Sequence, residues 1–192
     1  MLNNVNFETS VFSEDKLIIT DKKQIVLVGK SNVGKSSFIN TICNQKRLAK
    51  VGNTPGKTKC LNYYNVDDNY YIVDLPGYGY STMSKSEKDN TSKLIDSYLS
   101  TNMITHIFFL VDIRHDATTN DKLMYEYLLT FHIPFTIIAN KADKLAKTKI
   151  DKYVMNITKT LFAKEEIIPF STENKLNLDL VESKIRELVN ID

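Results

Sequence analysis

The sequence predicts a three-layer α/β fold, in which helices cover both faces of a six-stranded, mainly parallel sheet. Two observations predict it. Short apolar runs alternate with amphipathic stretches along the 192 residues, and a glycine-rich turn separates the first run from the stretch that follows it. The candidate strands are residues 25–28, 61–66, 70–74, 107–112, 135–139 and 167–170.

The second and third strands are expected to pair antiparallel. The three residues between them, Asp67, Asp68 and Asn69, are of the types that form tight hairpin turns. A hairpin reverses the chain, so the strand at residues 61–66 would run against the others. We therefore predict one antiparallel edge strand in a sheet whose other strands are parallel.

Two capping boxes predict where helices begin. Ser84 is followed by Glu87, and Thr118 by Asp121, at the spacing that lets the two side chains cap a first helical turn reciprocally. After the second box, and again near the end of the chain, apolar residues recur at helical spacings typical of a core-facing stripe. The predicted stripes are Leu123, Met124, Tyr127, Leu128 and Phe131 in one helix and Val181, Ile185 and Leu188 in the other.

The composition is that of an ordinary globular domain, with 42% hydrophobic and 25% charged residues. Residues 24–192 are expected to form one domain, and residues 1–23 an N-terminal arm or small strand packed on it. No apolar run approaches the ~20 residues that span a bilayer, and residues 1–10 lack the basic start and apolar core of a signal peptide. We therefore expect a cytoplasmic monomer with no membrane partner, whose Cys43 and Cys60 are reduced thiols.

Basic residues are concentrated in two stretches, although the net charge is only +2. Residues 43–60 contain five lysines and arginines and no acid, and residues 141–152 contain five lysines with two aspartates. Charge alone favours a solvated loop surface for both stretches. The alternative is a surface that contacts the phosphate backbone of RNA or DNA.

Residues 29–36 read GKSNVGKS, a Gly-x-x-x-x-Gly-Lys-Ser pattern between the first strand and a helix-like stretch. In that context the N–H groups of the turn and the positive end of the helix dipole converge on one point, where they bind phosphate. Lys35 would reach the β- and γ-phosphates, and the Ser36 hydroxyl would ligate Mg²⁺. The predicted binding residues are Gly29, Lys30, Ser31, Asn32, Val33, Gly34, Lys35, Ser36 and Ser37.

The sequence Asp74-Leu75-Pro76-Gly77 lies at the carboxyl end of the third strand, where open α/β sheets bind ligands. Asp74 would hold Mg²⁺ through a water molecule, and the N–H of Gly77 would bond the γ-phosphate. Alone, an aspartate before Pro-Gly is more often an ordinary turn. After a phosphate-binding loop it predicts switch II, so Asp74, Leu75, Pro76 and Gly77 are all counted as nucleotide-binding residues.

Asn140, Lys141 and Asp143 follow the fifth strand and predict which base is bound. Guanine presents its N1–H and N2 amino group on one edge, so the carboxylate of Asp143 can accept two hydrogen bonds, whereas adenine presents a lone pair at N1. A mismatched base leaves a desolvated acceptor unsatisfied, at a cost of about 1–3 kcal/mol. Asn140 would tie this loop to the phosphate loop, and the Lys141 stem would cover one face of the base. Ser171 and Thr172 are expected at the guanine carbonyl, which makes GTP and GDP the predicted ligands.

Residues 53–58 read NTPGKT and connect the first helix to the antiparallel strand. A long connection containing Gly and Pro is typical of switch I, whose threonine closes on Mg²⁺ and the γ-phosphate when GTP is bound. Spacing alone leaves Thr54 and Thr58 as alternatives. The predicted binding residues here are Asn53, Thr54, Pro55, Gly56, Lys57 and Thr58.

From residue 24 onward the chain resembles the ribosome-biogenesis GTP-binding proteins of the EngB (YihA/YsxC) family, in the translation-factor-related class of P-loop GTPases. The resemblance implies that Thr58 is the switch I threonine, that Ser36, Thr58 and Asp74 hold Mg²⁺, and that the protein contacts rRNA while the large ribosomal subunit is assembled. Asn140 departs from the threonine more usual in the family, toward the general GTPase motif. The matching segments are GKSNVGKSSFIN (29–40), NTPGKTKCLNYY (53–64), VDLPGYGYSTMSKSEK (73–88), LVDIRHDATTNDKLMYEYL (110–128) and IPFTIIANKADKL (133–145).

Hydrolysis of GTP needs charge neutralisation and an aligned water molecule more than covalent chemistry. Lys35, Thr58 and Gly77 are the predicted catalytic residues. Tyr78 occupies the position where Ras-like GTPases carry a water-orienting glutamine, so slow intrinsic hydrolysis is expected. Asn32 occupies the position that helps to hold K⁺ in potassium-stimulated relatives, although a plain turn residue is the alternative. Equal hydrolysis rates in KCl and NaCl at matched ionic strength would exclude K⁺.

Two rival functions would use the same phosphate-binding loop. A small-molecule or nucleoside kinase would need a lid of arginines, and Arg47, Arg114 and Arg186 are too scattered to form one. A protein-binding GTPase switch in cell division or signalling, without rRNA contact, is the alternative to a role in ribosome assembly.

Overall fold

The computed structural model describes residues 4–50, 60–79 and 84–190. Its strands are β1 (Val5–Val11), β2 (Lys23–Gly29), β3 (Leu61–Val66), β4 (Tyr70–Asp74), β5 (Ile104–Asp112), β6 (Phe135–Asn140) and β7 (Ile167–Pro169). Its α-helices are α1 (Lys35–Ile42), α2 (Lys85–Leu99), α3 (Thr119–Leu129), α4 (Ile150–Leu161) and α5 (Leu178–Val189). The strands form a single sheet in the order β1-β3-β4-β2-β5-β6-β7.

The predicted fold class is confirmed, but the sheet has seven strands among the described residues and not six. β3 runs antiparallel to β4, as the hairpin predicts, yet it is not the edge strand. β1 pairs antiparallel with β3, from Val5 opposite Val66 to Val11 opposite Leu61, and occupies the edge itself. Only the first and last residues of β1 are buried, so the apolar signal of this strand is too weak to predict it. The division of the chain into residues 1–23 and 24–192 stays a prediction.

The turn between β3 and β4 has the geometry that its residue types favour. Asp67 and Asp68 have φ angles of 50° and 55°, and the N–H of Asn69 donates to the Val66 carbonyl at 2.9 Å. Two consecutive left-handed residues are the mark of a type I′ turn, whose twist matches that of paired strands. This local signal explains why β3 and β4 begin and end where the sequence predicts.

Different helices cover the two faces of the sheet. α1 and α5 pack on one face, in an apolar cluster that contains Leu27, Phe38 and Ile185. α2, α3 and α4 pack on the other face, in a cluster that contains Val28 and Tyr98. Because side chains alternate along a strand, β2 supplies both clusters, and each aliphatic side chain buried in this way contributes roughly 1.5–3 kcal/mol. Within the described ranges, every helix is too short or too polar to cross a bilayer.

Both predicted capping boxes are present. The Ser84 hydroxyl accepts from the N–H of Glu87 at 3.3 Å, and the Thr118 hydroxyl accepts from the N–H of Asp121 at 3.3 Å. In each box the carboxylate also accepts from the backbone N–H of the capping residue. The predicted stripe of α5 is confirmed as well, with its first two members fully buried and the third packed against the core.

The stripe predicted on α3 is wrong at one position. Leu128 is fully buried, but Leu123 is 59% exposed. Tyr125 faces the core instead, and its hydroxyl donates to the Glu165 carboxylate at 2.6 Å. The buried face of α3 therefore runs through Asp121, Tyr125 and Leu128, and two of these carry polar atoms that a purely apolar pattern does not count.

His106 on β5 is a buried histidine outside the predicted site. Its Nε2 lies 3.0 Å from the Thr136 hydroxyl, and its ring packs edge-on against Phe108. Burial lowers the pKa of His106 to about 4, an effect increased by the nearby Lys184 and opposed by Glu166. The folded protein therefore holds this imidazole neutral at pH values where the unfolded chain protonates it.

The free energy of unfolding should fall as the pH decreases from about 6.5 to about 4. In that window the unfolded state binds a proton that folded His106 does not, so acid favours unfolding, by at most roughly 3 kcal/mol. Denaturant titrations of nucleotide-free protein at several pH values measure this loss.

In the variant His106→Gln the free energy of unfolding should depend less on pH, because a glutamine side chain does not titrate. His132→Asn is the matched control, since His132 is exposed and asparagine tolerates its left-handed backbone (φ 55°). The interpretation is wrong if His106→Gln keeps the wild-type slope or if the control loses it.

Candidate functional site

The predicted site residues come together at one edge of the sheet. β2, β4, β5 and β6 are parallel to one another and end side by side. Leu27 near the end of β2 pairs with Asp74, and Asp112 at the end of β5 pairs with Asn140. The loops that follow these strands therefore meet at the carboxyl edge, where open α/β sheets bind ligands.

The phosphate-binding loop connects β2 to α1. The N–H of Val33 donates to the Lys30 carbonyl at 3.1 Å, and Gly34 adopts φ 106° immediately before the helix begins at Lys35. A side chain at Gly34 would place its Cβ only 2.5 Å from the Asn140 amide nitrogen. Glycine is therefore required here both by the backbone conformation and by the close approach of Asn140. The first turn of α1 supplies N–H groups toward this loop, as an anion site requires.

Lys35 lies between the phosphate-binding loop and the end of β4. Its Nζ is 3.4 Å from the Gly29 carbonyl oxygen and 3.8 Å from Asp74 Oδ1. Asp74 is buried, and its Oδ1 has no hydrogen-bond partner among the described residues. Burial raises the pKa of Asp74, and the Lys35 ammonium opposes that effect. A buried carboxylate with an oxygen that no described residue satisfies is an arrangement that suits a divalent cation.

Switch II lies directly against the phosphate-binding loop. The N–H of Leu75 donates to the Leu27 carbonyl at 3.0 Å, and the N–H of Ser31 donates to the Tyr78 carbonyl at 3.1 Å. A Cβ on Gly77 would lie 3.0 Å from the Ser31 nitrogen and 3.2 Å from Lys35 Nζ. No larger residue fits at position 77 without moving one of these groups.

The loop after β6 is tied to the phosphate-binding loop by two side chains. The Asn140 amide donates to the Val33 carbonyl at 2.9 Å, which is the contact expected from the sequence. Lys141 has a left-handed backbone (φ 69°), and its Nζ donates to the Asn32 carbonyl at 2.8 Å. Both bonds hold the loop predicted to bind the base at a set distance from the loop predicted to bind phosphates.

Asp143 presents an ionised carboxylate at the base-binding side. The buried Ser171 hydroxyl donates to Asp143 Oδ1 at 2.8 Å, and Lys144 Nζ lies 3.0 Å from Oδ2. Burial alone would raise the pKa of Asp143, but the hydrogen bonds from Lys144 and Ser171 outweigh it and lower the pKa. Lys144 is mostly exposed, so its bond to Oδ2 is weak and exchanges readily for another donor. Thr172 is half-buried beside Ser171.

The structure brings together most of the predicted site, and the remainder lies outside the described residues. The residues that meet at the carboxyl edge are Gly29, Lys30, Ser31, Asn32, Val33, Gly34, Lys35, Ser36, Ser37, Asp74, Leu75, Pro76, Gly77, Asn140, Lys141, Asp143, Ser171 and Thr172. The predicted switch I residues 53–58, including Thr54 and Thr58, fall in the part of the chain that is not described.

Sequence analysis assigns no role at this edge to Asp112 and Arg114, although both lie in the matching segment 110–128. The Arg114 guanidinium donates to both oxygens of Asp112, from Nε at 2.9 Å and from Nη2 at 2.7 Å, and Lys141 Nζ donates to Oδ2 at 3.0 Å. The available signal is positional: Asp112 ends a strand of the sheet, as Asp74 does, and the next strand ends at Asn140. Only the register between the two strands brings it to Lys141.

The hydroxyl of Tyr78 is bonded to the start of α3. The hydroxyl donates to Asp121 Oδ1 at 2.6 Å, and the ring packs against Phe109. Asp121 is the acidic member of the capping box of α3. Burial and the neighbouring Asp121 carboxylate both raise the pKa of Tyr78, so the phenol stays protonated and acts as a donor.

Comparison with known proteins identifies relatives over most of the chain. The family model described as 50S ribosome-binding GTPase matches residues 24–141. A probable GTP-binding protein EngB of Lactococcus lactis subsp. cremoris (strain SK11) is 41% identical over 180 residues, which cover 92% of this chain and 92% of the relative. The protein of the same name from Syntrophomonas wolfei subsp. wolfei is 42% identical over 176 residues, or 91% of each chain.

Solved structures share the fold at lower sequence identity. The crystal structure of a probable GTP-binding protein engB has a TM-score of 0.70 and 22% identity, and the match covers 88% of this chain and 100% of that one. Era in complex with MgGDPNP and nucleotides 1506–1542 of 16S ribosomal RNA has a TM-score of 0.69 and 23% identity, over 86% of this chain and 56% of the Era chain. Identities this low show a common fold and nothing further.

The variant Tyr78→Phe should leave the rate of GTP hydrolysis within about twofold of the wild-type rate. The hydroxyl is already bonded to Asp121, so its loss should appear in the free energy of unfolding, as a decrease of about 1–2 kcal/mol. Single-turnover hydrolysis and denaturant titration measure the two effects.

Tyr125→Phe is the matched control, because it removes a hydroxyl-to-carboxylate bond of the same 2.6 Å length, from the middle of α3 to Glu165. A tenfold loss of hydrolysis in Tyr78→Phe, with the control unaffected, would show that the phenol acts on the attacking water and would contradict the assignment.

Proposed function

The chain belongs to the EngB family of GTP-binding proteins, within the 50S ribosome-binding GTPases, and on this premise we propose that it is a nucleotide-dependent switch in the assembly of the large ribosomal subunit. The resemblance inferred from the motifs is thereby confirmed. The protein is a GTPase, which converts GTP and water to GDP and phosphate. The roles of individual residues, the metal ion and the ribosomal partner are parts of the proposal. The proposal also includes that the protein is a cytoplasmic monomer.

Phosphate binding is assigned to the loop between β2 and α1. The loop N–H groups and the first turn of α1 hold the phosphates, and Lys35 neutralises the negative charge that is shared between the β- and γ-phosphates. The close approach of Gly77 to Ser31 and Lys35 supports assigning its N–H to the γ-phosphate. Thr58 is assigned to the same phosphate from switch I. The Tyr78 hydroxyl is bonded to Asp121, which supports slow intrinsic hydrolysis.

Mg²⁺ is assigned to Ser36, Asp74 and Thr58. The observation that supports it is the buried Asp74 carboxylate, whose Oδ1 lacks a hydrogen-bond partner among the described residues. When bound, Mg²⁺ supplies positive charge that stabilises the phosphates during hydrolysis. A K⁺ ion beside Asn32 stays a prediction, which the comparison of KCl with NaCl tests.

Guanine selection is assigned to Asp143, and the geometry of this residue is the observation that carries the nucleotide assignment. Its carboxylate is ionised, and the buried Ser171 orients it through Oδ1. The N1–H and N2 amino group of guanine would replace the exposed Lys144 as donors. Adenine has no donor at N1, so it would leave the carboxylate unsatisfied.

The ribosomal assignment is supported by the family and by exposed basic residues. Lys46, Arg47 and Lys50 are exposed after α1, and the lysines at positions 144, 147, 149 and 152 are exposed around the start of α4. The first group follows α1, and the second lies between the loop after β6 and the first turn of α4. Lysine clusters of this kind bind RNA through its phosphates. The alternative is a protein-binding GTPase switch in cell division or signalling that makes no rRNA contact.

The variant Asp143→Asn should lose GDP affinity by about 100-fold or more and gain affinity for XDP. Asparagine offers an N–H₂ donor to the guanine donors, whereas xanthine has an oxygen at C2 that accepts from it. Calorimetric titration with GDP, XDP and ADP measures the three affinities.

Lys144→Met is the control, since it removes the exposed donor and keeps the carboxylate. It should change GDP affinity by less than about threefold. If the wild-type protein bound ADP as tightly as GDP, the guanine assignment would fail.

The GTP-loaded protein should co-sediment with large ribosomal subunits at low salt, and less so with GDP. Replacing Lys46 and Arg47 with glutamate should weaken this binding, whereas replacing the exposed Lys85 and Lys88 on α2 should not. Failure to bind any subunit at low salt would favour the protein-binding alternative.

A further inference from the structure

Asp112 is the most heavily hydrogen-bonded carboxylate at the carboxyl edge of the sheet. Oδ1 accepts from the backbone N–H of Arg114 at 3.1 Å and from its Nε at 2.9 Å. Oδ2 accepts from Arg114 Nη2 at 2.7 Å and from Lys141 Nζ at 3.0 Å. Because the arginine fork occupies both oxygens from one side, the plane of the carboxylate is fixed and Oδ2 is aimed at Lys141.

Lys141 is held at both ends of its side chain. Its backbone is left-handed and follows directly on Asn140, which is itself bonded to the phosphate-binding loop. Its Nζ donates to the Asn32 carbonyl at 2.8 Å and to Asp112 at 3.0 Å. The aliphatic stem between these ends has little freedom left, although a lysine side chain ordinarily has four rotatable bonds. The stem is thus already in place before a base arrives.

Asp112 is ionised in the folded protein. Burial favours the neutral acid, but the hydrogen bonds from Arg114 and Lys141 outweigh burial and hold its pKa at about 2. The carboxylate is therefore ionised throughout the physiological range, and it is the anionic partner of both cations. An amide at this position would turn an N–H₂ donor toward groups that only donate.

We propose that Asp112, fixed by Arg114, is a positioning residue for guanine-nucleotide binding, which acts by holding the Lys141 side chain against the phosphate-binding loop. The proposal rests on the guanine site assigned above to Asn140, Lys141 and Asp143. Asp112 acts through Lys141 and is not itself assigned a contact with the nucleotide. Because Lys141 lies at the base end of the site, Asp112 should raise the affinities for GDP and GTP equally. The rate of the hydrolytic step should not depend on it.

A double-mutant cycle tests this mechanism. GDP affinity and the GDP dissociation rate are measured for the wild type, Asp112→Asn, Lys141→Met and the double variant. Asp112→Asn should weaken GDP binding about tenfold, mainly through faster dissociation, because a released Lys141 must be ordered again at each binding event. The double variant should be within about twofold of Lys141→Met alone, since Asp112 has no effect without the lysine. The value of kcat at saturating GTP should stay within about twofold for Asp112→Asn.

Two further variants separate positioning from folding. Arg114→Gln keeps the contact between Asp112 and Lys141 but removes the arginine fork that fixes the plane of the carboxylate. It should therefore also weaken GDP binding, by about threefold. Lys184→Met removes a hydrogen-bonded ion pair with Glu166 of similar length, 2.8 Å, away from the site, and it should change nothing. The melting temperature of each nucleotide-free variant shows whether it is folded. If Asp112→Asn is unfolded, the GDP affinity of Arg114→Gln is used to test the proposal instead.

Several outcomes would overturn the proposal. One is a double variant whose loss equals the product of the two single losses, because Asp112 would then act independently of Lys141. Another is GDP binding that is unchanged in Asp112→Asn, and a third is a selective loss of GTP over GDP. Failure of the guanine site itself would look different, since the wild-type protein would then bind ADP as tightly as GDP.

Discussion

The hydrogen bond from the Asn140 amide to the Val33 carbonyl is the contact on which the geometry of the nucleotide site depends. It joins the loop after β6 to the loop after β2 across the intervening strand β5, and it is fully buried. The bond exists only because Gly34 has no Cβ, which would lie 2.5 Å from the amide nitrogen. One glycine and one asparagine, far apart in the chain, thus set the distance between the place for phosphates and the place for a base.

Three aspartates at the carboxyl edge show how burial and neighbours give one residue type different roles. Asp74 is buried, and its Oδ1 has no hydrogen-bond partner among the described residues. Burial raises its pKa, and the Lys35 ammonium opposes that effect, as any cation beside the carboxylate would. Asp112 is half-buried, but arginine and lysine surround it and lower its pKa. Asp143 is oriented by the buried Ser171, and its pKa is lowered also. The first suits a metal, the second a structural ion pair, and the third a donor edge such as that of guanine.

The parts of the fold that the sequence predicts are those with local signals. The hairpin turn at Asp67 and Asp68 places β3 and β4, and the capping boxes place the starts of α2 and α3. Only a small strand or arm in residues 1–23 could be predicted. The bounds and edge position of β1 could not, because its partner residues lie fifty or more positions away and its residues 6–10 are not buried. The phosphate loop, Asp74 and the Asn140–Asp143 motif are predictable because each motif is contiguous. The contact between Asp112 and Lys141 is not predictable, although both residues lie in segments quoted above, since it follows from the alignment of β5 with β6, which no local pattern encodes.

The residue after the switch II glycine illustrates why position in a motif does not determine chemistry. In this chain both polar ends of Tyr78 are used for structure: the carbonyl accepts from Ser31 of the phosphate-binding loop, and the hydroxyl donates to Asp121 of α3. A glutamine would be too short and too polar to pack against Phe109 and also reach Asp121. The tyrosine therefore connects three elements of the fold, the phosphate-binding loop, the segment after β4 and α3. To orient water, its hydroxyl would first have to leave Asp121, which is the physical reason for proposing that intrinsic hydrolysis is slow.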